Sequence, residues 1–270
     1  GALHMTQPNS WFDGLTGSVG ENHGRSVNRP EFRELSPFNF VEVTGGRSVA
    51  GNPDLKEATL DSFDLRWEVF PTGGEVVAVS AFYKQIDQPI ERIIQPTTEL
   101  RTSFINADSA ELWGAELEFR RSLGVFTPLL DLFSVNFNYA YVHSDVTVSG
   151  DQVGVVTSLE RPLEGQSDQV ANFALQYYHP VRGTMIRLLT SFVGERLADV
   201  GAYRLPDIYE AAYTSVDAVI SQRLFAGGLE LKFAAANLLD QDREHRQGDQ
   251  IQRLYQPGRT FSLSLSYAPF

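Results

Sequence analysis

The sequence contains no cysteine. Disulfides, thiolate metal sites and cysteine nucleophiles are therefore excluded. It also lacks any run of about eighteen apolar residues, so it has no membrane-spanning helix; strands that carry apolar residues only at alternate positions are untouched by that exclusion. Positive charge is scarce. Twenty-two Lys and Arg face 34 Asp and Glu, a formal charge of -12, and a chain of that sign is repelled by a nucleic-acid backbone. No Gly-x-Ser-x-Gly nucleophile motif occurs, so acyl-transfer catalysis is not expected. At 270 residues the chain is long enough for one large β domain or two small ones.

What is present is alternation. Phe63, Leu65, Trp67 and Val69 interleave with Asp64, Arg66 and Glu68. Ala115, Leu117 and Phe119 interleave with Glu116, Glu118 and Arg120, and Phe133, Val135, Phe137, Tyr139 and Tyr141 with Ser134, Asn136 and Asn138. Ala171, Phe173, Leu175 and Tyr177 repeat the pattern, as do Leu229, Leu231, Phe233 and Ala235, and then Phe261, Leu263, Leu265 and Tyr267 opposite Thr260, Ser262, Ser264 and Ser266. Strand side chains point to opposite faces with period two, so each run has one apolar and one polar face. Residues 76–86, 185–195 and 213–223 fit more weakly. The count is about nine clear strands, with one more near the N-terminus.

The connections alternate too. Residues 71–75, 179–183 and 225–228 are tight Gly- and Pro-containing turns, whereas 87–107, 144–167, 196–212 and 239–258 are long and polar. Segments that long are uncommon in compact soluble domains. Short turns at one end and long loops at the other are the plan of an up-and-down antiparallel barrel in an outer membrane. Trp67, Phe70, Tyr139, Tyr141, Tyr177 and Tyr178 suit its aromatic girdles. The fold class expected is all-β: a transmembrane barrel of about 9–10 strands, cut from a larger one.

Gly1-Ala2-Leu3-His4-Met5 reads as an expression-tag scar, residues 6–24 as an irregular polar segment without a secretory signal, and 25–270 as barrel. Several motifs then stand in order: Asn28-Arg29-Pro30-Glu31-Phe32-Arg33-Glu34-Leu35-Ser36-Pro37-Phe38, Gly51-Asn52-Pro53-Asp54-Leu55-Lys56, Phe82-Tyr83-Lys84 with Pro89-Ile90-Glu91, Gly114-Ala115-Glu116-Leu117-Glu118, Val193-Gly194-Glu195-Arg196, Ala236-Asn237-Leu238-Leu239-Asp240 and a terminal Phe270. Together they resemble the C-terminal barrel portion of TonB-dependent outer-membrane receptors. The resemblance implies a parent barrel of about twenty-two strands with a plug inside. It implies outer-membrane lipid, TonB, the barrel-assembly machinery and a scarce nutrient, a siderophore or an oligosaccharide, as partners. No plug is visible, so transport by this portion alone is not expected. The C-terminus departs from the family pattern, with Ala268 where an aromatic is usual and Pro269 after it.

The residues themselves suggest structural roles. Gly51-Asn52-Pro53 makes a turn, Gly114 marks a bulge or a close backbone approach, and Asn237 caps loop amides. Asp64, Arg66, Glu68, Glu116, Glu118, Arg120, Glu230 and Lys232 form a mixed-charge lumen wall, with Glu116 and Glu118 pairing to Arg66 or Arg120. His143, Ser144, Asp145 and Asp151, and separately Asp240, Asp242, Glu244 and His245, have metal-ligating chemistry but no calcium-loop spacing; no metal, cofactor or catalytic residue is expected. Two alternatives stay open, a small passive pore and a soluble all-β binding module. For a single copy, the expected way to shield its edges is self-closure, with 259–267 pairing to a strand within 25–43 or 59–70.

Overall fold

The computed structural model describes residues 3–4, 16–41, 48–95, 101–149, 156–201, 204–224 and 228–267. Ten long strands run in chain order across one antiparallel sheet: β1 (Thr16–Asn28), β2 (Ala58–Phe70), β3 (Val76–Asp87), β4 (Ser109–Ser122), β5 (Phe133–Thr147), β6 (Gln169–His179), β7 (Thr184–Val193), β8 (Tyr213–Leu224), β9 (Leu229–Ala236) and β10 (Thr260–Tyr267). Each pairs with its predecessor and its successor in sequence. Successive connections therefore lie at opposite ends. Those after β2, β4, β6 and β8 lie at the turn end, and those after β1, β3, β5, β7 and β9 at the loop end. Gly73 and His245 accordingly sit at opposite ends, as expected. The turn at 225–228 lies outside the described residues except for Gly228.

The register keeps the two faces separate across the whole sheet. Val69, Val77, Phe119, Phe137, Phe173, Thr190 and Val216 are successive cross-strand partners on one face. Glu68, Ala78, Glu118, Asn138, Asn172 and Ser191 are successive partners on the other. A one-residue slip anywhere would exchange the faces, and none occurs among the ten strands. The apolar face stays open: Phe63, Leu65, Trp67, Ile186, Leu188, Ile220, Phe233 and Leu263 are all exposed. A contiguous apolar face of that extent is a lipid or protein contact surface. Above it His23, Phe63, Tyr83, Trp113 and His143 lie in one cross-strand row, with His23 stacked on Phe63 at 4.4 Å between ring centres. This row is a girdle at the loop end; Phe133 and Tyr177, 5.2 Å apart, belong to the opposite one. Trp67, Tyr139, Tyr141 and Tyr177 face outward as expected. Phe70 and Tyr178 have the inward parity, and the Tyr178 hydroxyl accepts a hydrogen bond from Arg223.

Two expectations are corrected. Residues 16–24 are not irregular: they are the first part of β1, paired residue by residue to β2. The strand is hard to read because Gly17, Gly20 and Gly24 interrupt it and its outward positions include Glu21, His23 and Arg25. Nor does the chain close on itself. Among the described residues β10 pairs only with β9, β2 is flanked by β1 and β3, and β1 meets only β2 and the short strand Leu3–His4. The sheet stays an open wall because the diameter of a closed barrel grows with strand number, and ten strands cannot complete a wide circle.

Gly114 belongs to an uninterrupted ladder rather than a bulge. A Cβ there would lie 2.3 Å from the Tyr141 carbonyl oxygen and 2.6 Å from the Phe82 ring, so close approach is the reason for glycine. The Gly-Asn-Pro segment has a similar cause. A Cβ on Gly51 would meet the carbonyl oxygens of Arg33, Glu34 and Ser36 at 2.5–2.6 Å. The Gly51 N–H donates to the Ser36 carbonyl at 2.8 Å and the Asn52 N–H to that of Glu34 at 2.5 Å. The first two motifs of the resemblance are thus one packed unit, built on the short helix α1 (Phe32–Leu35). Asn237 works differently from expectation: its own N–H donates to the Asp217 carboxylate at 2.8 Å and its side-chain amide donates to the Gly258 carbonyl at 2.9 Å. It holds a carbonyl, at a φ of +55° that asparagine tolerates better than most residues.

Candidate functional site

At the loop end the described parts of the long connections form strands and buried clusters. The connections after β1 and β3 combine into a four-stranded sheet of Asn39–Val41, Ser48–Ala50, Arg101–Asn106 and Ile90–Gln95. Those after β7 and β9 combine into a second, of Arg196–Asp199, Ile208–Glu210, Arg243–Gln247 and Gln250–Tyr255. Apolar side chains stitch them together. Ile93, Val156, Leu197 and Val200 form one buried cluster, drawn from the connections after β3, β5 and β7. Ala107, Ala110, Val146 and Val148 form a second where the cap meets the wall, and Val49, Leu55 and Phe104 a third. Most of the molecule's buried core therefore lies in this cap rather than in the sheet below, whose apolar side chains face outward.

The cap also buries charge. Arg161 Nη1 donates to the Glu91 carboxylate at 2.8 Å, with only 1% of the arginine side chain and 5% of the glutamate side chain exposed. Arg161 Nε and Nη2 have no hydrogen-bond partner among the described residues. Arg92 lies 3.5 Å from Glu164, and Arg196 Nε donates to Glu210 at 2.7 Å. Burial raises the Glu91 carboxyl above its ordinary value against the pull of Arg161. Burial pushes Glu164 up to about 7, with Arg92 opposing and Asp199 and Glu91 adding to the rise. A carboxyl whose folded value is raised stabilises the fold most when protonated, and that contribution is lost as pH climbs through the raised value. The cap should therefore tighten as pH falls from about 7 to about 4.5. Amide protection factors at residues 159–165, with the intrinsic pH dependence of exchange divided out, should rise over that interval, and Glu164→Gln should flatten the response. Protection factors that fall on acidification would contradict this account of Glu164.

Beneath the cap, the inward face of β1–β4 carries an ion-pair network. Arg66 binds Glu68 and Glu118, each at 2.8 Å, and Ser80 at 3.2 Å. Arg120 donates to Glu118 at 3.2 Å, and the Ser18 hydroxyl donates to Glu68 at 2.9 Å. Glu118, not Glu116, is the member of that pair held by Arg66 and Arg120. Asp64 and Glu116 share the face, as do Glu230 and Lys232 further along the wall. Asn138 and Asn172 are joined at 2.8 Å and Arg187 donates to Gln176 at 2.9 Å. The lumen surface is thus polar and mixed in sign along its length.

The residues with ligating chemistry do not converge. His143 and Asp145 meet at 3.0 Å on the outward face, whereas Ser144 points the other way and accepts from the Leu163 N–H. Asp151 lies outside the described residues. Asp240 sits in a turn at φ +54°, Glu244 is bound by Arg246, and His245 packs edge-on to Tyr255. No group of three or more such side chains suited to a metal ion is found among the described residues. Sequence reasoning missed Glu91, Arg161 and Glu164. The Glu91–Arg161 pair is 70 residues apart, and no local spacing announces it.

A family model for the TonB-dependent receptor-like β-barrel matches residues 8–238. The chain belongs to that family. It is similar to an iron-regulated outer-membrane virulence protein of Vibrio cholerae, with 25% identity over 249 residues covering 88% of this chain and 35% of that protein. The chain thus spans about a third of the length of this relative. Among solved structures it resembles the ferric enterobactin receptor PfeA of Pseudomonas aeruginosa, at 17% identity with a TM-score of 0.59 over 94% of this chain and 38% of that one. It also resembles the copper transporter OprC, at 16% identity with a TM-score of 0.67 over 93% and 37%. These structural likenesses show the fold: a wide antiparallel β-barrel, of which the ten long strands among the described residues form a sector.

Proposed function

We propose that this chain is the C-terminal wall and part of the outer cap of a receptor that takes up a scarce nutrient, of the siderophore or oligosaccharide class, with energy delivered through TonB. The observation that supports this most is the cap itself. Loops from four connections are ordered by three apolar clusters and a buried ion pair, and the fifth, after β9, pairs onto them as strands, all above a mixed-charge lumen wall. Ordered loops over a fixed scaffold are suited to recognition, and the wall below offers both signs of charge to a plug. The chemistry is binding and passage, with no bond made or broken. Outer-membrane lipid and the barrel-assembly machinery complete the partners. The iron-regulated relative and the ferric enterobactin receptor favour the siderophore class over the oligosaccharide class.

The test is retention of labelled ligand by the chain refolded into lipid vesicles. A panel of ferric siderophores should yield a retained member, and the maltodextrin series should not. Retention of neither class would overturn the reading of the cap as a recognition surface. A planar-bilayer recording should show no steady conductance from this portion; stable unitary currents would favour a passive pore instead.

A further inference from the structure

The connection between β4 and β5, residues 123–132, is built inside out. It consists of two short 3-10 turns, Leu123–Val125 and Pro128–Leu130. Four of its N–H groups are bonded locally, while Asp131 is exposed. The Gly124 N–H donates to Ser122 Oγ at 3.3 Å, and the N–H groups of Phe126, Leu130 and Asp131 donate to the carbonyls of Leu123, Thr127 and Pro128. Asp131 packs so closely on Gly124 that a Cβ there would lie 2.1 Å from its carboxylate oxygen. The Ser122 N–H donates to Glu75 at 2.8 Å, which ties this connection to the turn after β2. Its large apolar side chains are uncovered: Val125 is 54% exposed, Phe126 71% and Leu129 86%.

An ordered connection with several N–H groups bonded internally and with exposed apolar side chains is the reverse of an aqueous loop. It suits a medium that offers no hydrogen bonds. It also continues a surface already assigned to lipid. Phe133 and Tyr177 lie on the outward face at this same end, with Val135 and Leu175 directly beyond them. The next turn along the rim, after β6, adds Val181, 91% exposed. The turn after β2, Pro71-Thr72-Gly73-Gly74-Glu75, carries no large apolar side chain, so the feature is local to this stretch of rim.

We propose that residues 123–132 form a membrane wedge, in which Val125, Phe126 and Leu129 enter the acyl layer of the leaflet at the turn end and hold the wall at a fixed depth. The inference rests on the membrane-barrel reading above. The absence of cysteine makes it testable with single labels. Leu129→Cys, and independently Phe126→Cys, would carry an environment-sensitive fluorophore in vesicles of phosphatidylethanolamine and phosphatidylglycerol. Spin-labelled lipids, with the nitroxide placed shallow or deep in the acyl chain, would act as quenchers. Phe137→Cys, mid-band and outward, reports that the wall has inserted, and Thr72→Cys reports a turn in water. Labels at 129 and 126 should be quenched several-fold more than the label at 72, and more by the shallow nitroxide than by the deep one. Quenching at 137 with none at 129 or 126 would overturn the wedge, leaving the patch to the lumen, to water or to a protein partner. No quenching at 137 would overturn the membrane-barrel reading, and the wedge with it.

Discussion

Arg161→Ala should open the outer cap, at a cost of about 3–5 kcal/mol, because it strands the buried Glu91 carboxylate without its partner. The pair is almost wholly out of water and joins the connection after β3 to the connection after β5. The loss should appear as faster amide exchange and protease cleavage in residues 90–106 and 156–167, with the strands below unaffected. The informative comparison is the double replacement Glu91→Leu with Arg161→Met. Two packed apolar side chains can match or exceed a buried ion pair in stability, since neither carries a desolvation cost. The double variant should therefore recover most of the protection that either truncation loses. A single variant as protected as the parent would show that the pair contributes nothing to cap order. If the double variant proved as open as Arg161→Ala, the unpartnered Nε and Nη2 groups would have to hold the cap through contacts other than Glu91.

Phe137→Arg should block stable insertion into lipid, whereas Asn138→Arg should be tolerated. The two positions are adjacent on β5 and differ only in parity. Phe137 lies in the middle of the row from Val69 to Val216, and Asn138 faces the lumen beside Asn172. An arginine on the lipid face near the bilayer midplane costs about 2–4 kcal/mol, while a lumen arginine keeps its water. Resistance to unfolding in detergent on unheated gels, after refolding into vesicles, would read the difference. Equal behaviour of the two variants would mean that the apolar face is covered by protein rather than by lipid.

The wall was legible in the sequence because its physics is local. Most of the strands β2 to β10 state their two faces through residues two apart, β3, β7 and β8 more weakly, and every second pair of neighbours joins through a short connection. β1 was illegible for an equally local reason: three glycines and outward Glu21, His23 and Arg25 erase the alternation, so only pairing with β2 identifies it. The cap is different. Ile90–Gln95 looks like part of a polar loop until Arg101–Asn106 and Ser48–Ala50 are placed beside it. Leu197 and Val200 look like isolated apolar residues until Ile93 and Val156 arrive from other connections. Buried clusters assembled from segments far apart in the chain have no periodic signature. Of the girdle residues, Tyr139 and Tyr141 were legible because their parity is clear, while Phe70 and Tyr178 sit at strand ends, where one residue changes the face.

The strands are not of equal height. β2 to β5 run 12–15 residues, β9 and β10 only 8. On the tall side Asp61, Gln85, Glu111 and Asp145 form a polar outward row one step above the girdle of Phe63, Tyr83, Trp113 and His143. With a rise of about 3.3 Å per residue, the few residues past the girdle lift the rim roughly 10–15 Å clear of the hydrocarbon. The parapet is lopsided. On a living cell the outward face of the tall strands would itself stand among the surface sugars, where an antibody or a phage can find it, whereas on the other flank the short strands give way to the cap sheet. A binder raised against the strip around Glu111 and Asp145 would therefore label intact cells from one side of the receptor only.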